Sequence, residues 1–392
     1  MAGGRSISIV ADENIPRVRE WFSSLGEVRT LAGRSMAAAD VADADILLVR
    51  SVTPVNAALL SGSRVCFVGT ATIGTDHLDV EFLQRAGIGY ANAPGSNAQS
   101  VVDYVLSALA AQEGLLACLL GGKARVGVVG LGNVGGRLLR RLHALGIDAV
   151  GFDPYVDAPD LPQNTLEVVL GCDVVCLHTP LTREGAHPTW HLLDDNRMRS
   201  LRAGAVLLNA GRGAVIDNQA LLHMLEAGPG VRVILDVWEP EPTISLDLLK
   251  RVALGTPHIA GYSFDGKLAG TRMLLQACCE YLAQSLPAYS SSDDSTPITV
   301  PAGGDAATML EAALLAVYDP RRDDAALRSC DEPAAIAAHF DQLRKHYPQR
   351  REIASCEVVN WAELSAGAQR LLAAAGFRGK FAVRGEITGG SG

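Results

Sequence analysis

A chain of 392 residues, 48% hydrophobic and 20% charged, has room for two or three domains and the composition of an ordinary globular α/β protein. Its net charge of −9 argues against nucleic acid or an anionic membrane as partner. The opening run Ser6-Ile7-Ser8-Ile9-Val10 meets Asp12 and Glu13 too soon for a signal peptide, and the longest apolar stretch, 105–120, is broken by Gln112 and Glu113. No membrane span and a cytoplasmic location are therefore expected.

From the amino terminus, strand patterns at 7–11, 45–49, 65–69 and 88–91 alternate with helical patterns such as 16–25 and 80–86, which implies a parallel sheet. A long helix over 98–116 leads to Arg125-Val126-Gly127-Val128-Val129, a buried-strand pattern. This feeds Gly130-Leu131-Gly132-Asn133-Val134-Gly135 and an amphipathic helix over 134–145. In such a strand–turn–helix, Gly130 permits the tight turn, Gly132 lets backbone approach a pyrophosphate, and Gly135 lets helix pack on strand. The phosphates would meet the unpaired N–H groups of the helix N-terminus. A second strand, 148–152, ends in Asp153, 18 residues beyond Gly135. A carboxylate there suits two free ribose hydroxyls and repels a 2′-phosphate, so NAD is favoured over NADP.

The alternation resumes with strands at 174–177, 205–208, 231–235 and near 253–254, and helices at 193–201, 218–226 and 266–285. The segment 287–304, rich in Ser, Asp, Pro and Gly, reads as a linker. Helical patterns at 306–317, 334–344 and 362–375 and an apolar run at 353–359 then describe a small α+β domain. The eight cysteines form no C-x-x-C pair and read as buried thiols. His187 and His191, with Asp194 beyond, have a possible metal spacing, but Pro188 between them indicates a loop and no metal is expected.

Polar residues cluster just past three strands: Asn209-Ala210-Gly211-Arg212-Gly213, Asp236-Val237-Trp238-Glu239-Pro240-Glu241, and Thr256-Pro257-His258-Ile259-Ala260-Gly261. Ligands of open α/β sheets lie off the carboxyl ends of strands. Hydride transfer from an alcohol needs a base, a group that orients the base, and a cation for a substrate carboxylate. His258, Glu241 and Arg212 supply those three chemistries.

These stretches, with His178-Thr179-Pro180-Leu181 and the segments 11–16, 49–53, 69–77 and 261–263, resemble the NAD-dependent D-2-hydroxyacid dehydrogenases. The resemblance continues past the linker in 317–324 and 340–345, and so covers nearly the whole chain. It implies a flavodoxin-like substrate domain (1–96 and 264–286) with an inserted Rossmann NAD-binding domain (97–263), a linker (287–303) and a C-terminal dimerisation domain (304–392). It implies Arg212, Glu241 and His258 as active-site residues, with His258 handling the proton. Ser51, Thr72 and Tyr262 would contact substrate, and Asn133, Val134, Asp153, Thr179, Ala210, Gly211, Arg212, Asp236 and Gly261 would contact NAD. The implied activity is oxidation of 4-phospho-D-erythronate on the route to pyridoxal phosphate, in a homodimer. A dehydrogenase of another 2-hydroxy acid, such as 3-phosphoglycerate, and a non-catalytic NAD-binding regulator are the alternatives. Ser96, Gly211 and Pro240 depart from the family's usual residues, Pro240 directly beside Glu241.

Overall fold

The computed structural model describes residues 6–228, 230–288 and 295–379. Parts of the expected linker (289–294) and C-terminal domain (380–392) therefore lie outside the described residues, as do residues 1–5 of the first domain and residue 229. The chain forms two compact units. One holds the described residues through Ser100 and those from Tyr262 to 288; the other holds Val101–Gly261 and the described residues from 295 onward.

The first unit is built on a five-stranded parallel sheet of β1 (Ile7–Asp12), β2 (Gly26–Leu31), β3 (Ile46–Val49), β4 (Phe67–Thr70) and β5 (Gly89–Ala91), in the order β2-β1-β3-β4-β5. This is the flavodoxin-like order. Alternate residues of β1 serve two cores: Ile9 and Ala11 face one with Phe22, Leu274 and Cys278, while Val10 faces the other with Val41, Val55 and Leu83. The helix Phe264–Tyr281 thus returns the chain to the first core, started by Ser263, whose side chain accepts from the Gly266 amide at 2.8 Å.

The second unit carries β6 (Val126–Val129), β7 (Ala149–Phe152), β8 (Val174–Leu177), β9 (Val206–Asn209), β10 (Arg232–Leu235) and β11 (Leu254–Gly255). Their order is β11-β10-β9-β8-β6-β7, all parallel. The chain leaves β6 for β7 on one side and then places β8 on the other. That reversal puts a crevice at the carboxyl ends of β6 and β8, where such sheets bind ligands. The C-terminal residues add a three-stranded parallel sheet of β12 (Thr296–Ile298), β13 (Cys356–Val358) and β14 (Arg378–Gly379), with helices Ala306–Val317, Arg321–Arg328, Ile336–Lys345 and Ala366–Ala375.

Several elements differ from the sequence expectation, among them the unexpected short helices Leu166–Leu170 and Leu246–Arg251. The helix over 98–116 is two, Ala98–Ala110 and Leu115–Leu120, because Gly114 takes a left-handed φ of 67° between them. The strand β2 was not expected: Glu27 and Arg29 face solvent on an edge strand, so it has no apolar run. β12 lies inside the stretch read as linker, and the charged helix Arg321–Arg328 buries Leu327 alone.

Leu327, Ile336 and Phe340 share one core with Leu248, Leu249 and Val252 of the nucleotide sheet's flank. Phe340 is fully buried. Phe340→Ala should therefore cost about 3–5 kcal/mol, and calorimetry should show the β6–β11 region and the C-terminal helices melting together at lower temperature.

Candidate active site

The Gly130–Gly135 turn is shaped by two different needs. Gly130 has φ 89°, and a Cβ there would lie 2.9 Å from the carbonyl carbon of His178 and 3.0 Å from Thr179 Cγ2. A Cβ on Gly135 would sit 1.8 Å from the Gly130 carbonyl oxygen. The fold itself therefore excludes side chains at both. Gly132 is otherwise: a Cβ there would meet nothing within 4 Å, so packing gives no reason for glycine. Gly211 continues the row, with Thr179 O at 3.1 Å from a notional Cβ. Gly130, Thr179 and Gly211 thus line up across the carboxyl ends of β6, β8 and β9.

Asp153 ties this turn to β7. Its Oδ2 accepts from Leu131 N at 2.8 Å, and Oδ1 accepts from Tyr155 N at 2.9 Å and Val156 N at 3.1 Å. A carboxylate has about four lone-pair sites, so capacity remains for a ribose hydroxyl. Beside the crevice, His178 has neither ring nitrogen hydrogen-bonded, and burial pulls its pKa down to about 4. It is neutral at pH 7.

The second cluster surrounds His258. Asp236, at the end of β10, is 1% exposed and its carboxylate accepts from Thr256 Oγ1 (2.7 Å), Ile259 N (2.8 Å) and Ala260 N (3.0 Å). Its carbonyl accepts from His258 N at 2.7 Å. Burial raises its pKa, opposed by the His258 charge and by these hydrogen bonds. Asp236, expected among the cofactor contacts, thus also shapes the turn that carries His258. That turn holds His258 at φ 55°, a conformation costing a non-glycine residue on the order of 1–3 kcal/mol. Such strain persists only where the surroundings over-determine it.

His258 Nδ1 lies 2.7 Å from Glu241 Oε2, and Glu241 Oε1 accepts from Trp238 N at 2.9 Å. Glu239–Pro240 and Glu241–Pro242 are both cis peptides. With Pro240 in place Glu241 still reaches His258. Arg212 stands on the neighbouring loop, which Asn209 shapes by accepting from Gly211 N (3.0 Å) and donating to Arg212 O (3.0 Å). Gly213 presses that loop on Trp238, where a Cβ would lie 1.8 Å from the Trp238 carbonyl oxygen. Arg212, Glu241 and His258 consequently line one cleft of about 290 Å³, with Leu181, Trp238 and Glu239.

Residues 112–260 match the family described as D-isomer specific 2-hydroxyacid dehydrogenase, NAD binding domain. Residues 293–376 match a family described as a domain of unknown function (DUF3410). Over 384 residues, 95% of this chain and 100% of the other, the sequence is 51% identical to the erythronate-4-phosphate dehydrogenase of Cellvibrio japonicus. The chain belongs to the erythronate-4-phosphate dehydrogenases. The enzyme of that name from Saccharophagus degradans is 48% identical, covering 90% of this chain and 94% of its own. Among solved structures, the NAD-complexed D-isomer specific 2-hydroxyacid dehydrogenase of Lactobacillus delbrueckii superposes with a TM-score of 0.62 at 19% identity, covering 71% of this chain and 98% of that one. That likeness bears on the fold.

NAD is the cofactor of this family's nucleotide domain, and the turn fits it: the space beside Gly132 is open where a pyrophosphate would approach. The first unit holds the other expected residues. Ser51 is exposed; Thr72 Oγ1 donates to Gly74 O (2.9 Å) and pairs with Thr70 Oγ1 (2.7 Å), which meets His77 Nε2 at 2.8 Å. Tyr262 has Lys267 Nζ 5.9 Å from its ring centroid. Burial lowers the Lys267 pKa, and the Arg50 charge pushes the same way. Within the second unit the residues expected to contact cofactor follow the ends of β6 to β11, and the three candidate active-site residues line one cleft.

His191, weighed as a metal ligand, stacks on Trp190 (centroids 3.9 Å) and pairs with Glu239 at 2.9 Å, while His187 meets Tyr155 edge-on at 5.5 Å. Among the described residues no group of three or more His, Cys, Asp or Glu could hold a metal ion, and no helix is long and apolar enough to cross a membrane. Sequence reasoning missed Tyr104, whose hydroxyl pairs with Thr256 Oγ1 at 2.8 Å, and Asn218, whose Oδ1 accepts from Glu239 N at 3.1 Å. Neither lies in a motif, and only tertiary structure brings them to the site.

The glycines give a paired prediction. Gly132→Ala should leave the melting temperature unchanged yet raise the Kd for NAD by about tenfold, the loss of ~1.4 kcal/mol of contact. Gly135→Ala should destabilise the whole unit in a thermal melt. Asp153→Ala should weaken NAD binding, narrow the preference over NADP, and loosen the turn at Leu131, measured by titration with both dinucleotides.

Proposed function

We propose that this protein oxidises 4-phospho-D-erythronate to 2-oxo-3-hydroxy-4-phosphobutanoate with NAD, a step toward pyridoxal phosphate, and that His258, Glu241 and Arg212 carry the chemistry. The observation that carries the reading is the 2.7 Å contact between His258 Nδ1 and Glu241, in a cleft shared with Arg212. Relatives near 50% identity over almost the full length share one name, so oxidation of another 2-hydroxy acid and a purely regulatory role are not favoured.

An ionised carboxylate only accepts hydrogen bonds, so Glu241 holds the proton of His258 on Nδ1. Nε2 then carries the free lone pair, and takes the C2 hydroxyl proton as that carbon becomes a carbonyl. NAD supplies the hydride acceptor. Glu241 favours the imidazolium so formed, as the carboxylate of a catalytic triad does. Arg212 Nη1 is tied to the Gly211 carbonyl at 2.8 Å, which fixes the guanidinium and leaves the rest of its fork for the substrate carboxylate.

By the family resemblance, residues 1–96 and 264–286 serve the substrate through Ser51, Thr72 and Tyr262, and residues 97–263 serve NAD through Gly130, Gly132, Asn133, Val134, Gly135, Asp153, Thr179, Ala210, Gly211, Arg212, Asp236 and Gly261. The resemblance also supports a cytoplasmic homodimer joined through residues 304–392, which light scattering at several concentrations would test.

His258→Ala should lower turnover by about 10² to 10⁴, the range for a general acid–base group, with NAD binding nearly unchanged. Arg212→Lys should also be damaging, because a point charge cannot reproduce a bidentate hold. Initial rates of NADH formation from 4-phospho-D-erythronate measure both. Near-normal turnover in His258→Ala would remove both the assigned base and the role of Glu241.

A further inference from the structure

The C-terminal residues reach the His258 turn on both flanks. Before the turn, Gly255 N donates to Asp324 Oδ1 at 2.7 Å. Asp324 is itself held by Arg328 Nε at 2.8 Å, and Arg328 also donates to the carbonyls of Leu249 and Val252. After the turn, Arg350 Nη2 donates to the Ala260 carbonyl. Arg350 is 7% exposed, lies 4.4 Å over the Tyr318 ring, and has a second terminal nitrogen buried without a hydrogen-bond partner.

The groups around that arginine are tied to one another. Tyr318 and Tyr347 both donate to Asp323 Oδ2, at 2.8 and 2.9 Å, and Ile353 N donates to Asp103 Oδ2 at 2.8 Å. The Tyr104 ring lies 6.0 Å from that of Tyr318. Since the Thr256 hydroxyl spends its one proton on Asp236, Tyr104 must be the donor to Thr256. The turn is packed as well, with Thr256, Ile259 and Ala260 buried, while Pro257 borders a cavity of about 420 Å³ shared with Asp323, His346 and Tyr347. To that packing the C-terminal residues add directional polar anchors on both flanks of the turn. The charge of this buried guanidinium is favoured by Asp103 and Asp236, and its Nη2 is directed at the Ala260 carbonyl.

We propose that the C-terminal domain, beyond any part in assembly, acts as a clamp on the active site: Arg350 on the Ala260 carbonyl and Asp324 on the Gly255 amide position the His258 turn so that the imidazole stays against Glu241. Both are positioning residues and touch neither substrate nor cofactor. The inference rests on the reading of His258 as the proton acceptor. It gives a chemical task to a domain whose family description assigns none. Misplacement of a reacting group by about 1 Å can cost 10²-fold in rate, so small slack in the turn is enough to register.

The test uses the full-length chain with Arg350→Met, Arg350→Lys, Asp324→Ala, His258→Ala and the double variant Arg350→Met/His258→Ala, assayed with NAD and 4-phospho-D-erythronate. Arg350→Met should lose about 10- to 100-fold in kcat while KM for NAD stays within about twofold. Arg350→Lys, which keeps the charge and one donor, should recover most of the loss. Placed on His258→Ala, the Arg350→Met change should cost less than about threefold, because a residue acting through His258 has nothing left to position. Equal losses in both backgrounds, or an unchanged kcat in Arg350→Met, would overturn the clamp. If Arg350→Met does not fold, Asp324→Ala carries the same comparison from the other flank. Wild-type turnover in His258→Ala alone would instead defeat the reading of the active site, and the clamp with it.

Discussion

An ionisable carboxyl buried to 1% exposure with no cation hydrogen-bonded to it is stable only if protein donors replace the water it gave up. Asp236 meets that condition with one hydroxyl and two backbone amides, all drawn from Thr256 to Ala260. Three donors within five residues force the chain into a tight loop around the carboxylate, and His258 stands in its middle with φ 55°. The strained backbone of His258 and the desolvation of Asp236 are thus two costs of one device. What they accomplish together is a fixed base, since the imidazole direction follows from the backbone that carries it.

The nucleotide turn works by exclusion rather than attraction. Gly130 and Gly135 lack side chains because protein atoms already occupy the space, 2.9 and 1.8 Å from a notional Cβ, while Gly132 lacks one with no protein atom near. In a strand–turn–helix of this kind, that open position is where a pyrophosphate can approach the backbone. Asp153 holds the amide of Leu131, inside the turn, and retains lone-pair capacity beyond its three accepted bonds.

What the sequence made legible follows from how local the signal is. The turn 130–135, Asp153, and the residues just past β9, β10 and β11 are contiguous segments whose glycines and polar ends carry their own chemistry, so they could be read directly. β2 could not, because Glu27 and Arg29 on an edge strand show no apolar run. The turn at Gly114 was hidden in an apolar stretch that looks like one helix. The bonds from Asp236 to the His258 turn were not legible, because nothing local marks a carboxylate that its own chain will wrap. The clamp was the least legible of all. Arg350 and Ala260 are 90 residues apart, and Arg350 sits in an unremarkable Pro-Gln-Arg-Arg run.

The Glu241 side of the pair is held as firmly as the His258 side, by different chemistry. Trp238 Nε1 donates to the Thr256 carbonyl at 2.9 Å, joining the loop after β10 to the start of the His258 turn. Glu239 faces the other way, to His191 at 2.9 Å, and its amide donates to Asn218. Asn218 Nδ2 in turn donates to the Ile216 carbonyl at 2.9 Å, beyond the Arg212 loop. The two glutamates flanking Pro240 therefore point to opposite partners, each a histidine. Only one of those histidines is set against a cleft shared with Arg212. His191 is stacked on Trp190 and enclosed between Glu239 and Asp217, so its contacts serve to hold the loop. Of two similar His–Glu pairs in the same few residues, surroundings rather than residue type decide which one is placed to move a proton.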